Sequence, residues 1–413
     1  MNTLTYDQLG LSSDALMVQD TAAANNTTTT TAAAATPFVL PPDAVSDPVV
    51  HADGSETVSV HTGGLTFNLT FDAAGAAAPE SFRAGVEQAA AILSSAITDE
   101  ATINLSIEYA GTGGGAGANV SDGVFANYAS LRTDLQDHAA AGDTVFDNLP
   151  NTRAVQGHSQ VFVANAQAKV LGLIDPNDTT TEDGFAIFNT DIPTQSLVGV
   201  ALHELSHALG RVPSPGNLDI FDLFDFTRPG QNLINNSISS APPAYFSLDG
   251  GVTKIADYGQ NSDPADFLNT GIQGANDPLN EFYNPTTSQT LSPIDLVVLE
   301  TLGYNITTPD TAALLAELPQ ARGVAAPVQT VQQAAAINSA VAAETAASLI
   351  KLGDAAGAAQ VLANAEADAA AANGTTTTNA NGMTHEAALH DPYAGNAHYD
   401  SMMAMHLHNI TAN

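Results

Sequence analysis

The sequence predicts an α+β domain over residues 56–305, built on a mixed sheet and one long functional helix. An Ala-rich helical hairpin follows in residues 306–372. Three observations carry this expectation. A strand–helix–strand pattern opens the domain between residues 64 and 110. One helix at residues 196–210 gathers ionisable side chains on an otherwise apolar segment. After Thr308 the composition turns sharply towards Ala. At roughly 150 residues per domain, 413 residues leave room for two or three such units.

Each element has a local cause. GLTFNLTFD (Gly64–Asp72) alternates Leu65, Phe67, Leu69 and Phe71 on one face, which predicts a strand. PESFRAGVEQAAAILSSAI (Pro79–Ile97) spaces Phe82, Val86, Ala90, Leu93 and Ile97 as a helix does, and Pro79 suits a first turn. INLSIEYA (Ile103–Ala110) alternates again, so two strands sharing a sheet through a right-handed crossover are expected. A helix is expected over Val124–His138, a strand running into a helix over Ser159–Leu173, and a short strand over Gly184–Asp191. Residues 211–290, rich in Gly, Pro, Asn and Asp, read as long ordered loops with short helices. SPIDLVVLETLGY closes the domain as a helix capped by Ser292, with Pro293 in its first turn and Gly303 stopping it. The tails at 1–55 and 373–413 are low in complexity, with little to bury.

Composition excludes several classes of function. Nine basic residues against 44 acidic ones give a formal net charge of −35. Nucleic-acid binding needs a basic face, and anionic membranes repel this charge. No apolar run is long enough to insert in a bilayer. Without a single Cys, disulfides, thiolate metal sites and cysteine nucleophiles are impossible. There is no phosphate-binding glycine loop, no dinucleotide fingerprint and no GxSxG serine. The first twenty residues lack the basic and apolar regions of a Sec signal. Few Lys, many Thr, Ala, Gly, Asn and Asp, and no Cys resemble proteins exported by bacterial type I machines. The expected location is therefore extracellular, reached without an N-terminal Sec signal.

The chemistry is concentrated in VGVALHELSHALG (198–210). On a helix, His203 and His207 share one face and reach one metal ion, with Glu204 beside the open coordination side. Zinc lowers the pKa of a bound water, and Glu204 is placed to take its proton during attack on a carbonyl. Leu197, Val200, Ala201, Leu205 and Ala208 back the helix.

HELSHALG resembles the start of the metzincin zinc signature, HExxHxxGxxH, and DGFAIFN (Asp183–Asn189) resembles the edge strand above a metzincin active site. IFDLFDFTRPG (Ile220–Gly230), AYFSLDGG (Ala244–Gly251) and SPIDLVVLETLGY are similar to segments of bacterial secreted zincin-like proteins, as is SQVFVANAQAKVLGL. The resemblance spans about residues 60–305. It implies a zincin-like fold and a secreted zinc endopeptidase. Two departures stand out. Pro213 occupies the position of the third His, and all six Met lie near the chain ends, so no Met-turn follows the helix. The third ligand must come from elsewhere. Asp222 matches the family's LDLF-type Asp when Pro229 is aligned; Asp219 is an alternative, and so is a residue beyond these two. Carboxylate oxygen is an acceptable partner for two His.

Tyr245, Tyr258 and Tyr283 are candidate oxyanion donors by position, with Tyr245 preferred. Arg211 is expected to pair with a nearby acid in a structural role, and His158 to be a loop residue. The loop Gly259–Asp277 is a candidate Ca2+ site, and the high negative charge points to divalent ions as aids to folding. The C-terminal His385, His390, His398, His406 and His408 read as part of a solvated tail. The expected function is zinc-dependent hydrolysis of a peptide or protein substrate laid along the Gly184–Asp191 edge. The alternative is a cell-surface or matrix assembly protein on a zincin-like scaffold, with self-association through its tails.

Overall fold

The computed structural model describes residues 38–214, 217–234, 243–259, 263–307 and 311–316. The N-terminal Thr/Ala tract, residues 317–372 with the expected Ala-rich hairpin, and the His-containing tail lie outside them.

The chain is recruited before Glu56. Ala44 is buried, Phe38 and Leu40 pack on the core, and β1 (Val49–Val50) pairs antiparallel with β2 (Glu56–His61). β2 pairs in turn with β3 (Thr66–Phe71). In β3 the predicted alternation is realised: Phe67, Leu69 and Phe71 are fully buried while Thr66, Asn68 and Thr70 face the opposite side. Asp72 caps a single turn, α1 (Ala73–Ala76), by accepting from the Gly75 amide at 2.7 Å. α2 (Glu80–Ala96) then packs Phe82, Val86, Ala90 and Leu93 inward and ends where Ile97 turns extended. β4 (Thr102–Tyr109) returns parallel to β3, in a register that stacks Phe67, Leu69 and Phe71 beside Ile103, Leu105 and Ile107.

β5 (Ala116–Val120) and β6 (Gly123–Asn127) follow, and β6 corrects the expected helix over Val124–His138. Only α3 (Tyr128–His138) is helical there, capped by the Asn127 side chain accepting from the Ala129 amide at 3.1 Å. β7 (Gln160–Ala164) runs into α4 (Asn165–Val170) as expected. β8 (Gly184–Phe188) enters the main sheet parallel to β4. The six-stranded order is β1-β2-β3-β4-β8-β5, with β5 antiparallel to β8. The strand at Gly184–Asp191 is thus an interior strand, paired on both sides, and the edge belongs to β5. α5 (Leu197–Ala208) packs against α2 and lies under β5 and β8.

The segment expected to be loops contains more pairing than predicted. β9 (Leu218–Asp219) joins β6 and β7 in a three-stranded sheet. A single 3-10 turn at Phe221–Phe224 leads into β10 (Asp225–Arg228). With β11 (Gln231–Asn232), β12 (Tyr245–Phe246) and β13 (Ala256–Asp257), β10 forms a small antiparallel sheet. α6 (Pro293–Thr301) has the expected capping box: the Ser292 hydroxyl accepts from the Asp295 amide, and Asp295 accepts from the Ser292 amide at 2.7 Å. α7 (Thr311–Ala316) returns against α6, with Leu314 buried. The mixed sheets and few helices make an α+β fold. No described helix is long and apolar enough to cross a membrane.

Candidate metal centre

The end of α5 sets the geometry. Gly210 takes φ +104°, a left-handed conformation that favours glycine. Its amide donates to the His207 carbonyl at 2.9 Å, and the Arg211 amide donates to the Ser206 carbonyl at 3.1 Å. This is the paired-bond helix stop of a Schellman turn. It folds the chain back so that the Arg211 carbonyl accepts from His207 Nδ1 at 2.6 Å. His203 Nδ1 likewise donates to the Pro278 carbonyl at 2.9 Å. A carbonyl only accepts, so both Nδ1 atoms carry the hydrogen. In the neutral rings both Nε2 atoms are then left with lone pairs, the form that binds metal.

Those two Nε2 atoms lie 2.9 Å apart. Asp266 Oδ1 completes a triangle, 3.0 Å from His203 Nε2 and 3.1 Å from His207 Nε2. Tetrahedral zinc with bonds of 2.0–2.1 Å spaces its ligand atoms about 3.3 Å apart, so this triangle is close to the face of a zinc site. Three lone-pair donors converging in a buried place require a cation between them, whether metal or proton. Among the described residues this is the sole group of three or more His, Asp or Glu side chains so arranged.

Asp266 arrives on a braced segment. The Phe267 amide donates to the Leu279 carbonyl and the Glu281 amide to the Phe267 carbonyl, each at 2.9 Å. The brace brings Asp266 and Pro278 under α5 together. Phe267 also stacks on Tyr258, with ring centroids 5.4 Å apart and planes 4° apart.

The electrostatics follow from burial and neighbours. Burial works against an ionised Asp266, but the charge of His203 and hydrogen bonds from both imidazoles outweigh it, and its carboxyl is held far below the usual range. For His207, burial opposes protonation. Hydrogen bonding to Asp266 and the charges of Asp263 and Asp266 prevail, and its pKa rises. Glu204, buried one residue from His203, is pushed up to about 8, chiefly by burial, with His203 pulling the other way and Asp266 and Asp263 adding to the rise.

The structure therefore brings His203 and His207 together, with Glu204 between them in the chain, and the carboxylate it sets beside the two imidazoles is that of Asp266. Asp222 lies outside the group. It sits in the 3-10 turn, its amide donating to Asp219 Oδ1 at 2.9 Å, with Asp222 Oδ1 buried and unpartnered. Asp219 is engaged with the Ser214 amide as well. The Asp219 carboxylate is thus taken up by the Ser214 and Asp222 amides, and the LDLF-type segment leads into the small sheet. No short-range signal marks Asp266, which lies far downstream among other acids; its place depends on the brace to Leu279 and Glu281.

Tyr245 is likewise outside the group. Its hydroxyl donates to the Gly251 carbonyl at 2.6 Å, and the Lys254 ammonium lies over its ring. Tyr258 backs Phe267 as a packed aromatic, and the Tyr283 hydroxyl donates to the Gly114 carbonyl ahead of β5. His158 lies in a turn, its backbone exchanging two hydrogen bonds with Val155. The candidate Ca2+ loop contributes Asp266 to the imidazoles, while Asp263 Oδ1 accepts from the Ala265 amide at 2.8 Å and Asp277 Oδ1 from the Leu279 amide at 2.9 Å. Arg211 is paired as expected, its NH1 atom 3.7 Å from Asp266 Oδ1.

Comparison with known proteins found no matching family model, no matching curated protein and no matching solved structure.

Proposed function

We propose that this chain is a metal-dependent hydrolase of peptide bonds, with zinc as its ion and an extended peptide or protein as its substrate. The observation that carries this reading is the convergence of His203 Nε2, His207 Nε2 and Asp266 Oδ1 within 3.1 Å of one another, with Glu204 next in the chain. The donor set fits zinc by atom type, tautomer and spacing. When bound, the ion supplies Lewis acidity towards a carbonyl and towards water.

The chain's own residues do the rest. The Pro278 and Arg211 carbonyls hold the two imidazoles in the tautomer that leaves Nε2 free. Asp266 brings a buried carboxylate whose ionised form is strongly favoured. Glu204 is the proton carrier. Its carboxylate takes the proton of the attacking water and passes it to the departing amine nitrogen as the C–N bond breaks. Two-way transfer of this kind is general acid–base catalysis by a positioned carboxylate. Substrate adds as a strand to β5, the sheet edge that α5 underlies. The lead-in to β5 is anchored by Asp191, which accepts from the Gly113 and Gly114 amides at 2.9 Å, and by Tyr283. Secretion belongs to the same reading and rests on composition.

The test is hydrolysis of a mixed peptide library by zinc-loaded protein and by Glu204→Gln. The expected result is cleavage by wild type and a loss of about 10²–10⁴-fold in the variant, the range of general acid–base catalysis, with metal content unchanged. A metal-loaded wild type that cleaves nothing would favour the scaffold alternative.

A further inference from the structure

We propose that Arg211 is the positioning residue that assembles the three donors, and that metal affinity depends on its guanidinium. This rests on the metal-site reading above and assigns the residue that builds the site.

Arg211 has 0 % of its surface exposed. Burying a guanidinium is costly unless its surroundings compensate. Compensation here is incomplete, because Nε and NH1 lack hydrogen-bond partners. Packing alone does not account for an arginine in this place; an apolar side chain fills space without that cost.

What distinguishes Arg211 is where its bonds go. Its carbonyl accepts from His207 Nδ1 at 2.6 Å. Its NH2 atom donates to the Ala265 carbonyl at 2.5 Å, one residue before Asp266. The same NH2 donates to the Leu279 carbonyl at 3.1 Å, one residue after Pro278, whose carbonyl orients His203. NH1 stands 3.7 Å from Asp266 Oδ1, and the guanidinium lies over the Phe267 ring, 5.3 Å from its centroid. One residue therefore reaches the support of every donor: His207 directly, Asp266 through its neighbours and its charge, and His203 through the Pro278 segment.

The charge has its own part. Glu204, Asp263 and Asp277 surround the same place, and each is affected by the Arg211 charge. Without that cation, Asp266 would lose the guanidinium that stands 3.7 Å from its carboxylate and the two carbonyl bonds that fix its segment. The planar fork also bridges two carbonyls on separate segments, which a lysine ammonium on a flexible stem holds less rigidly.

The test uses the full-length protein stripped with chelator, as wild type, Arg211→Gln and Arg211→Lys. Each is titrated with zinc alone against a chromophoric competitor, and the cobalt(II)-substituted forms are compared by absorption. The expected result is zinc binding weakened about 10–100-fold in Arg211→Gln, the range for residues that orient metal ligands, with an altered cobalt spectrum. Arg211→Lys keeps the charge and recovers part of the affinity. Wild-type zinc affinity and an unchanged cobalt spectrum in Arg211→Gln would overturn the proposal. If that variant does not fold, Arg211→Lys decides: weakened affinity supports the proposal and wild-type affinity with an unchanged spectrum overturns it. A wild type that binds no zinc overturns the metal-site reading itself, and a loss confined to the variants does not.

Discussion

Two groups of buried aspartates lie on the C-terminal side of α5, and they have opposite fates. Asp266 faces two imidazoles and a guanidinium, and despite burial the imidazoles hold its carboxyl far below the usual range. Asp219, Asp222 and Asp225 face one another. Burial first, and then mutual repulsion for Asp222 and Asp225, drives these carboxyls upward; Asp225 has 0 % exposure and neither carboxylate oxygen partnered. The difference teaches that the groups aimed at a buried acid, and not burial alone, decide whether it stays ionised. The number of acids near it in sequence gives no guide.

Lys169 and Asp183 extend the comparison, because they form a third buried site in which one cation meets one carboxylate. Their contact is 2.6 Å with both side chains fully buried, and Lys169 Nζ also donates to the Thr102 and Asp178 carbonyls. Lys169→Met should convert Asp183 into an unpaired buried acid. The expected loss of unfolding free energy is about 3–5 kcal/mol, measured by chemical denaturation. A loss below about 1 kcal/mol, the worth of an exposed pair, would mean that a cation opposite a buried acid matters less than the comparison requires.

Asp225→Asn tests the uncompensated side and should be smaller, with the opposite sign. A carboxyl raised in the folded state binds its proton more tightly there than in the unfolded chain. Its contribution is therefore fully favourable below the ordinary value of 3.8 and is lost as pH rises through the folded value. Removing the charge should stabilise the protein at pH 8 by about 1–3 kcal/mol and change little at pH 4. Thermal melts of both proteins at the two pH values check this, and equal midpoints at pH 8 would contradict it.

Where side chains alternate or recur, the fold was legible in the sequence. Leu65, Phe67, Leu69 and Phe71 announce one buried sheet face, and Ser292, Pro293 and Gly303 delimit α6. β5 was missed because AGANV offers no apolar alternation; it is a strand through backbone pairing with β8. That omission also misplaced the edge of the sheet. The histidines were legible because a helix fixes i and i+4 on one face. Asp266 was not, because its position depends on Phe267 pairing with Leu279 and Glu281, a contact between loops that has no periodicity to read. Arg211 was expected to be structural, and its link to three donor supports appears only once α5 is terminated at Gly210.

The most direct test of the central claim is the metal content of purified wild type, Asp266→Asn and Asp222→Asn, prepared side by side without chelator and measured by elemental mass spectrometry. About one zinc per chain is expected in wild type and in Asp222→Asn, and little or none in Asp266→Asn. Iron in place of zinc would keep the site and change its chemistry, since two His and one carboxylate also suit non-haem iron. Loss of metal in Asp222→Asn with full content in Asp266→Asn would contradict the account.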